Sequence, residues 1–259
     1  MDVQSKLKEF RKKGYCLFED VYPASLMEDV KEEFHLMEPS FLRIQEQQGI
    51  SDKVVDATHH TLVLCRAMLA LLEKNKVTPF LEQFFSPKKY ILNTMGLSKI
   101  RPNGSVYTQN IHRDVRTFQG ATELWINTLI MLDESTADNG ATWIMEGSES
   151  LPEKPSEEEF WDKAIQVEGS AGDVLVFHGG VWHCAGENRT NSTRHIITPF
   201  YSAPFIKQQL DYPRAFGPDF GESCSPHLKQ ILGYNALVPS SLHEFYQTDQ
   251  NRYYKSDQG

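Results

Sequence analysis

A chain of 259 residues is long enough to bury a sizeable core without disulfide staples, and its 40% hydrophobic and 24% charged residues are those of a globular protein. The formal net charge of -9 argues against a nucleic-acid backbone as main partner, because that contact needs clustered Lys and Arg. Cys16, Cys65, Cys184 and Cys224 are far apart and form no C-x-x-C pair, and no run of 18 apolar residues occurs, so a reduced, cytoplasmic protein that does not enter a membrane is expected.

In chain order, SKLKEFRKKG has helical spacing and stops at Gly14, with Lys6, Lys8, Arg11, Lys12 and Lys13 as its solvated face. YCLFEDV reads as a short strand. PASLMEDVKEEFHLM reads as an amphipathic helix with Ser25 as N-cap, and TLVLCRAMLALLEKN and TPFLEQFF as two more helices. The character then changes. YILNTMGLSKI, SVYTQNIHRD, ELWINTLIML, ATWIMEG, DVLVFHG and RHIITPFYSA are short β-branched and aromatic stretches, separated by turn-rich segments such as RPNGS, ADNGA and SAGD. SPHLKQILGYN closes the series as a helix, with Gly233 just beyond its end.

Helices first, strands second and a helical tail last argue against alternating βαβ units. They predict a mainly β fold with flanking helices, an antiparallel sandwich or barrel with helices packed on one outer face. With no internal repeat or linker, one domain is expected. Its helical N-terminal part covers about residues 1–88, the β core about 89–205 and the helical tail about 206–259.

The chemistry centres on QNIHRDVRTF. By chance, 9 histidines and 35 acidic residues in 259 positions give about one His-x-Asp/Glu triplet, so His112-x-Asp114 alone is weak. His183 follows a strand and a Gly-Gly turn, which places it at the mouth of the sheet. His112, Asp114 and His183 together make a 2-His-1-carboxylate facial triad, which leaves coordination positions open on one face as in non-haem Fe(II) oxygenases. Arg194 opens the next strand. A buried guanidinium is costly unless a carboxylate meets it, and the distal carboxylate of 2-oxoglutarate would do so in bidentate fashion. Zinc is a lesser alternative, since hydrolysis would not explain the arginine.

These residues resemble the phytanoyl-CoA dioxygenase family of Fe(II)/2-oxoglutarate-dependent oxygenases. The resemblance runs from FRKKGYCLFEDV through IHRD, NTLIMLDESTADNGATWIMEGSES and GDVLVFHGGVWHCAGEN to Arg194, roughly residues 5 to 205. The family pattern is H-x-D, an N-G turn followed by G-S, a second histidine, and an arginine about ten residues on. It falls here on His112 and Asp114, on Asn139-Gly140 with Gly147-Ser148, on His183 and on Arg194. The resemblance implies a double-stranded β-helix (jelly-roll) core with the triad at its open end. It also implies Fe(II) as metal, 2-oxoglutarate as co-substrate and O₂ as oxidant. Two departures stand out: Ala185 where some members carry Ser, and Leu129 where many carry Trp.

Asn110 would share a strand face with His112 and either touch the oxoglutarate, order the metal shell or make a plain strand hydrogen bond. Asn127 and Thr108 are weaker candidates for cofactor contacts on the same parity. His178 reads as structural, and His195, beside Arg194, points to the opposite face. His59 and His60 are expected as capping or surface residues rather than an entrance lining, and Arg116 as solvated or ion-paired. The aromatic tail after Gly233 is expected to pack on the core, with a lid or a self-association surface as alternatives.

The implied activity is hydroxylation of an unactivated C–H bond with release of succinate and CO₂. The retained Asp114 favours it over halogenation, since related halogenases replace that carboxylate with a small residue. The alternative is a metal-binding jelly roll without turnover, a sensor or scaffold. No adenine or pyrophosphate signature is present and the charge disfavours a CoA-sized anion, so a small or medium polar metabolite, or a sugar-linked one, is the expected substrate.

Overall fold

The structure is a computed structural model and describes residues 2–50, 56–104, 107–118, 120 and 122–258. Helix α1 (Val3–Lys13) is capped by Asp2, whose carboxylate accepts the Gln4 N–H, and ends at Gly14. At φ +81° Gly14 closes the helix with an N–H bond to the Phe10 carbonyl and turns the chain into β1 (Tyr15–Phe18). Helix α2 (Ala24–Gln47) begins before the expected cap: Pro23, extended, is the cap residue, and Ser25 lies inside the first turn. The helix also runs well past Met37 and through Pro39. Phe41 prolongs its apolar face by stacking on Phe34 at 6.4 Å.

The single helix expected over TLVLCRAMLALLEKN is broken. After β2 (Ala57–His59) the chain forms 3₁₀ turns at Thr61–Val63 and Arg66–Met68, and only then α3 (Leu69–Leu72). The physical reason lies in α2, where the Glu33 carboxylate accepts the N–H groups of Arg66 and Ala67 at 2.9 and 2.6 Å, replacing the carbonyls a continuous helix would supply. The remaining elements are α4 (Thr78–Phe85), β3 (Ile91–Ile100), β4 (Trp125–Met131), β5 (Thr142–Met145), α5 (Glu157–Lys163), β6 (Ala164–Val167), β7 (Val174–His178), β8 (His183–Cys184), β9 (Arg194–Ser202), α6 (Tyr212–Phe216), α7 (Pro218–Ser223), α8 (Pro226–Ile231) and α9 (Leu242–Phe245).

Two antiparallel sheets face each other as a jelly roll. The larger has the order β1-β7-β4-β9-β3-β2 and the smaller β6-β5-β8. The large sheet therefore also takes in β1, read as a strand from the sequence, and β2, which was not, both from before residue 89. Alternation along the strands divides the large sheet cleanly. Leu129, Met131, Leu175, Phe177 and Ile196 face inward and pack with Ile144, Val167 and Val181. Ile126, Ile130, Val174, Val176 and Ile197 face outward under Phe10, Met27, Val30, Phe34 and Phe80 of the helices. Burial on both faces is why these strands read as nearly unbroken apolar runs.

SVYTQNIHRD is not a strand. Ser105 and Val106 lie outside the described residues, Tyr107–Gln109 is a 3₁₀ turn, and His112 alone of the rest pairs, in an isolated bridge with His183. The Tyr107 carbonyl takes both the backbone N–H and the side-chain Nδ2 of Asn110, at 3.1 and 3.0 Å, so the asparagine folds the chain back locally instead of extending it.

Candidate metal and co-substrate site

The open end of the sandwich is organised by that bridge. The N–H of each histidine donates to the carbonyl of the other, His112 to His183 at 3.0 Å and His183 to His112 at 2.9 Å. The Gly179-Gly180 turn feeds β8 into place. A Cβ at Gly179 would meet Val115 Cγ2 at 2.8 Å, and the Val115 N–H donates to the Gly179 carbonyl. Ser148, of the Gly-Ser pair, is buried. Its hydroxyl donates to the Met145 carbonyl at 2.6 Å and accepts the Trp182 N–H at 2.9 Å, which anchors the residue before His183.

The two imidazole rings lie 4.3 Å apart between centroids. Nε2 of His112 is 3.7 Å from Asp114 Oδ1, and Nε2 of His183 is 3.7 Å from Asp114 Oδ2. One ligand atom from each of the three residues lies within 4.8 Å of the other two. Each ring also turns Nδ1 towards a backbone carbonyl, His112 to Asn110 at 2.7 Å and His183 to Val181 at 3.0 Å. A carbonyl only accepts, so Nδ1 carries the hydrogen and the Nε2 lone pair is left for a metal. Burial, then the neighbouring His112, push the His183 imidazolium down to about 4, so that the ring is in its neutral, ligating form at physiological pH.

Arg194 opens β9, opposite Ile100 of β3, and is 1% exposed. Its Nε donates to the Asn139 carbonyl at 3.1 Å and one terminal nitrogen to the Gly140 carbonyl. The Asn139-Gly140 turn is thus the cradle of the arginine. Asn139 fixes the turn by accepting the Thr136 N–H and donating to the Glu134 carbonyl, at 2.8 and 2.7 Å. At Gly140, with φ +87°, a Cβ would stand 2.6 Å from the Gly186 carbonyl. The other terminal nitrogen, Nη1, is buried without a hydrogen-bond partner, and burial pushes the guanidinium pKa down to about 10. Thr108 also carries a buried, unpartnered hydroxyl, and its carbonyl accepts the Ala185 N–H at 2.8 Å, two residues beyond His183.

The strand parity proposed for Asn110 has no strand to act on. Its exposed side chain donates to Tyr107, and its contribution at the site is the carbonyl that orients His112. Asn127 reaches Asp114, with Nδ2 donating to Oδ2. His195 lies on the opposite face from Arg194, its N–H and Nδ1 both 2.8 Å from Asp133 Oδ2. His178 accepts the Gly180 N–H at Nδ1 and packs beside Phe10. His59 and His60 approach the Tyr107 and Tyr212 hydroxyls at 3.3 and 3.2 Å. Arg116 is exposed and lends its carbonyl to Arg113. In the tail, Ala236 bridges Tyr254 and Gln258 is buried, whereas Val238, Leu242, Phe245 and Tyr246 are exposed.

Sequence reasoning missed Asp133. It accepts from His195 and, at 2.6 Å, from Lys31, and its charge favours the protonated Arg194 guanidinium against burial. Burial alone would raise its pKa, but these hydrogen bonds outweigh burial and bring it down to about 2. A depressed carboxylate stabilises the fold above its unfolded pKa near 4 and loses that contribution as the pH falls towards 2. Its partly exposed setting limits it to on the order of 1–2 kcal/mol. Denaturant unfolding of wild type and Asp133→Asn should therefore differ by that amount above about pH 4 and converge towards pH 2. A gap independent of pH would show that the charge is not the source.

Among the described residues no helix is long and apolar enough to cross a membrane. The family model described as Phytanoyl-CoA dioxygenase (PhyH) matches residues 10–196. The chain is 28% identical over 220 residues to protein Rv1501 of Mycobacterium tuberculosis, covering 85% of this chain and 71% of that protein. It is 29% identical over 157 residues to the iron/alpha-ketoglutarate-dependent dioxygenase ausU of Aspergillus calidoustus, covering 56% of this chain and 51% of that protein. Among solved structures, the apo non-heme monooxygenase ThoJ superposes with a TM-score of 0.62 at 16% identity over 81% of this chain and 80% of that one, a likeness of fold.

Proposed function

Since the chain belongs to the phytanoyl-CoA dioxygenase family, we propose that it is an Fe(II)- and 2-oxoglutarate-dependent dioxygenase. In this reading it hydroxylates an unactivated C–H bond of a small or medium metabolite. His112, Asp114 and His183 would hold the metal, and the donor set fits it: two neutral imidazole nitrogens and one carboxylate oxygen gathered on one side. When bound, Fe(II) would supply the oxidising chemistry, with O₂ consumed and 2-oxoglutarate decarboxylated to succinate and CO₂.

The observation that carries the reading is the unpartnered Nη1 of Arg194. A buried guanidinium with one unmatched nitrogen is destabilising on its own, and a carboxylate restores the match. Arg194 would bind the far carboxylate of the co-substrate, and the Thr108 hydroxyl would donate to it. A metal-holding scaffold without turnover has no use for such an anchor.

Incubating the purified protein with Fe(II), 2-oxoglutarate and a metabolite extract under air should yield succinate. It should also yield at least one product heavier by one oxygen atom. Succinate formation no greater than in metal-free controls, with or without extract, would remove the oxygenase reading.

A further inference from the structure

Asn127 is 5% exposed and lies on the inward face of β4, opposite Phe177 on one side and Phe200 on the other. An apolar residue would pack between those rings without unmet polar atoms. Asn127 instead places an amide there, and only half of it is satisfied. Nδ2 donates to Asp114 Oδ2, while Oδ1 is buried with no partner. A carboxylate only accepts, so the amide nitrogen is the end that faces it. A structural asparagine in a core ordinarily has both ends bonded to its surroundings. This one is bonded at the single end that meets the candidate metal ligand.

We propose that Asn127 is a positioning residue that holds the Asp114 carboxylate in one-oxygen coordination. Resting on the Fe(II) reading of the site, the inference assigns Oδ2 to the amide and leaves Oδ1, on the His112 side at 3.7 Å, to the metal. A carboxylate free at both oxygens can close on a metal with both and take up a coordination position. Engaging one oxygen with a fixed donor keeps that position for other ligands. Asp114 needs such a partner because it lies in a loop outside the backbone bridge that ties His112 to His183, with its side chain 30% exposed at the mouth.

The test uses Co(II) as a spectroscopic probe in the full-length protein, with Asn127→Leu to remove the donor at similar volume and Asn127→Thr as a second, smaller variant. Both should bind Co(II) about 10- to 100-fold more weakly than wild type. Their visible d–d bands should differ in intensity from wild type, reporting a changed coordination number. Thermal unfolding of the metal-free Leu variant should match or exceed wild type, since it removes an unmet acceptor. Wild-type Co(II) affinity and spectrum in both variants would overturn the proposal, as would a loss confined to metal-free stability. If wild type itself binds no Co(II), or Asp114→Ala binds it normally, the metal-site reading fails rather than the role of Asn127.

Discussion

Replacing His183 with alanine abolishes the visible charge-transfer band expected when Fe(II) and 2-oxoglutarate are added to the wild-type protein without air. Only His112 and Asp114 then remain as ligands, and two donors with no third do not define a coordination face. Altering groups one step removed from a metal typically costs 10- to 100-fold in affinity, so losing a direct ligand should lower Fe(II) affinity by more than about 100-fold. The fold should survive. The backbone bonds between residues 183 and 112 do not involve the side chain, and apart from the His112 ring the imidazole meets the ring of Phe177, at 4.8 Å. Circular dichroism and thermal unfolding separate loss of metal from loss of fold. His112→Ala should behave alike, and a band of wild-type strength in either variant removes that residue from the ligand set.

Arg194→Ala should lower 2-oxoglutarate affinity by on the order of 10²-fold or more while leaving Fe(II) binding largely intact. The magnitude follows from breaking a bidentate charge pair in a site where the arginine is 1% exposed. Arg194→Lys should fall between the two. It keeps the charge but cannot present the planar fork, and its single nitrogen cannot occupy the separate positions from which Nε and a terminal nitrogen reach the Asn139 and Gly140 carbonyls. Isothermal titration of 2-oxoglutarate into the Fe(II) protein without air measures both. Unchanged affinity in the alanine variant would make the arginine a brace for the Asn139-Gly140 turn and place the co-substrate anchor elsewhere.

The sequence was most legible where local chemistry and long-range order agree. Gly14 ends α1 at φ +81°, and the inward and outward residues of β4, β7 and β9 follow simple alternation. His112, Asp114, His183 and Arg194 could be singled out because their types and spacing follow the family pattern, and the structure gathers the first three within 4.8 Å. The segment before His112 misled, since its strand-like composition is overridden by an asparagine bonding back to Tyr107. That error carried into Asn110. The contacts of Glu33 with Arg66 and Ala67, and of Asp133 with Lys31 and His195, join residues far apart in the chain. Nothing local to Glu33 or Asp133 distinguishes it from a solvated acid. Asn139-Gly140 was visible as a turn, but that its carbonyls hold a guanidinium emerges only once β9 is laid beside it.

The reciprocal backbone bridge between His112 and His183 has a thermodynamic corollary. In small zinc domains the ion gathers its own ligands, and its binding energy is folding energy. Here two ligand-bearing segments, 71 positions apart in sequence, are already tied main chain to main chain, and a carbonyl fixes each ring. The entropy of bringing them together is spent when the sandwich closes, before any ion arrives. On the proposed metal-site reading the centre would be a socket rather than a clasp: exchange of one divalent ion for another would leave the scaffold standing, and supply and donor chemistry, not the survival of the fold, would set which ion resides there.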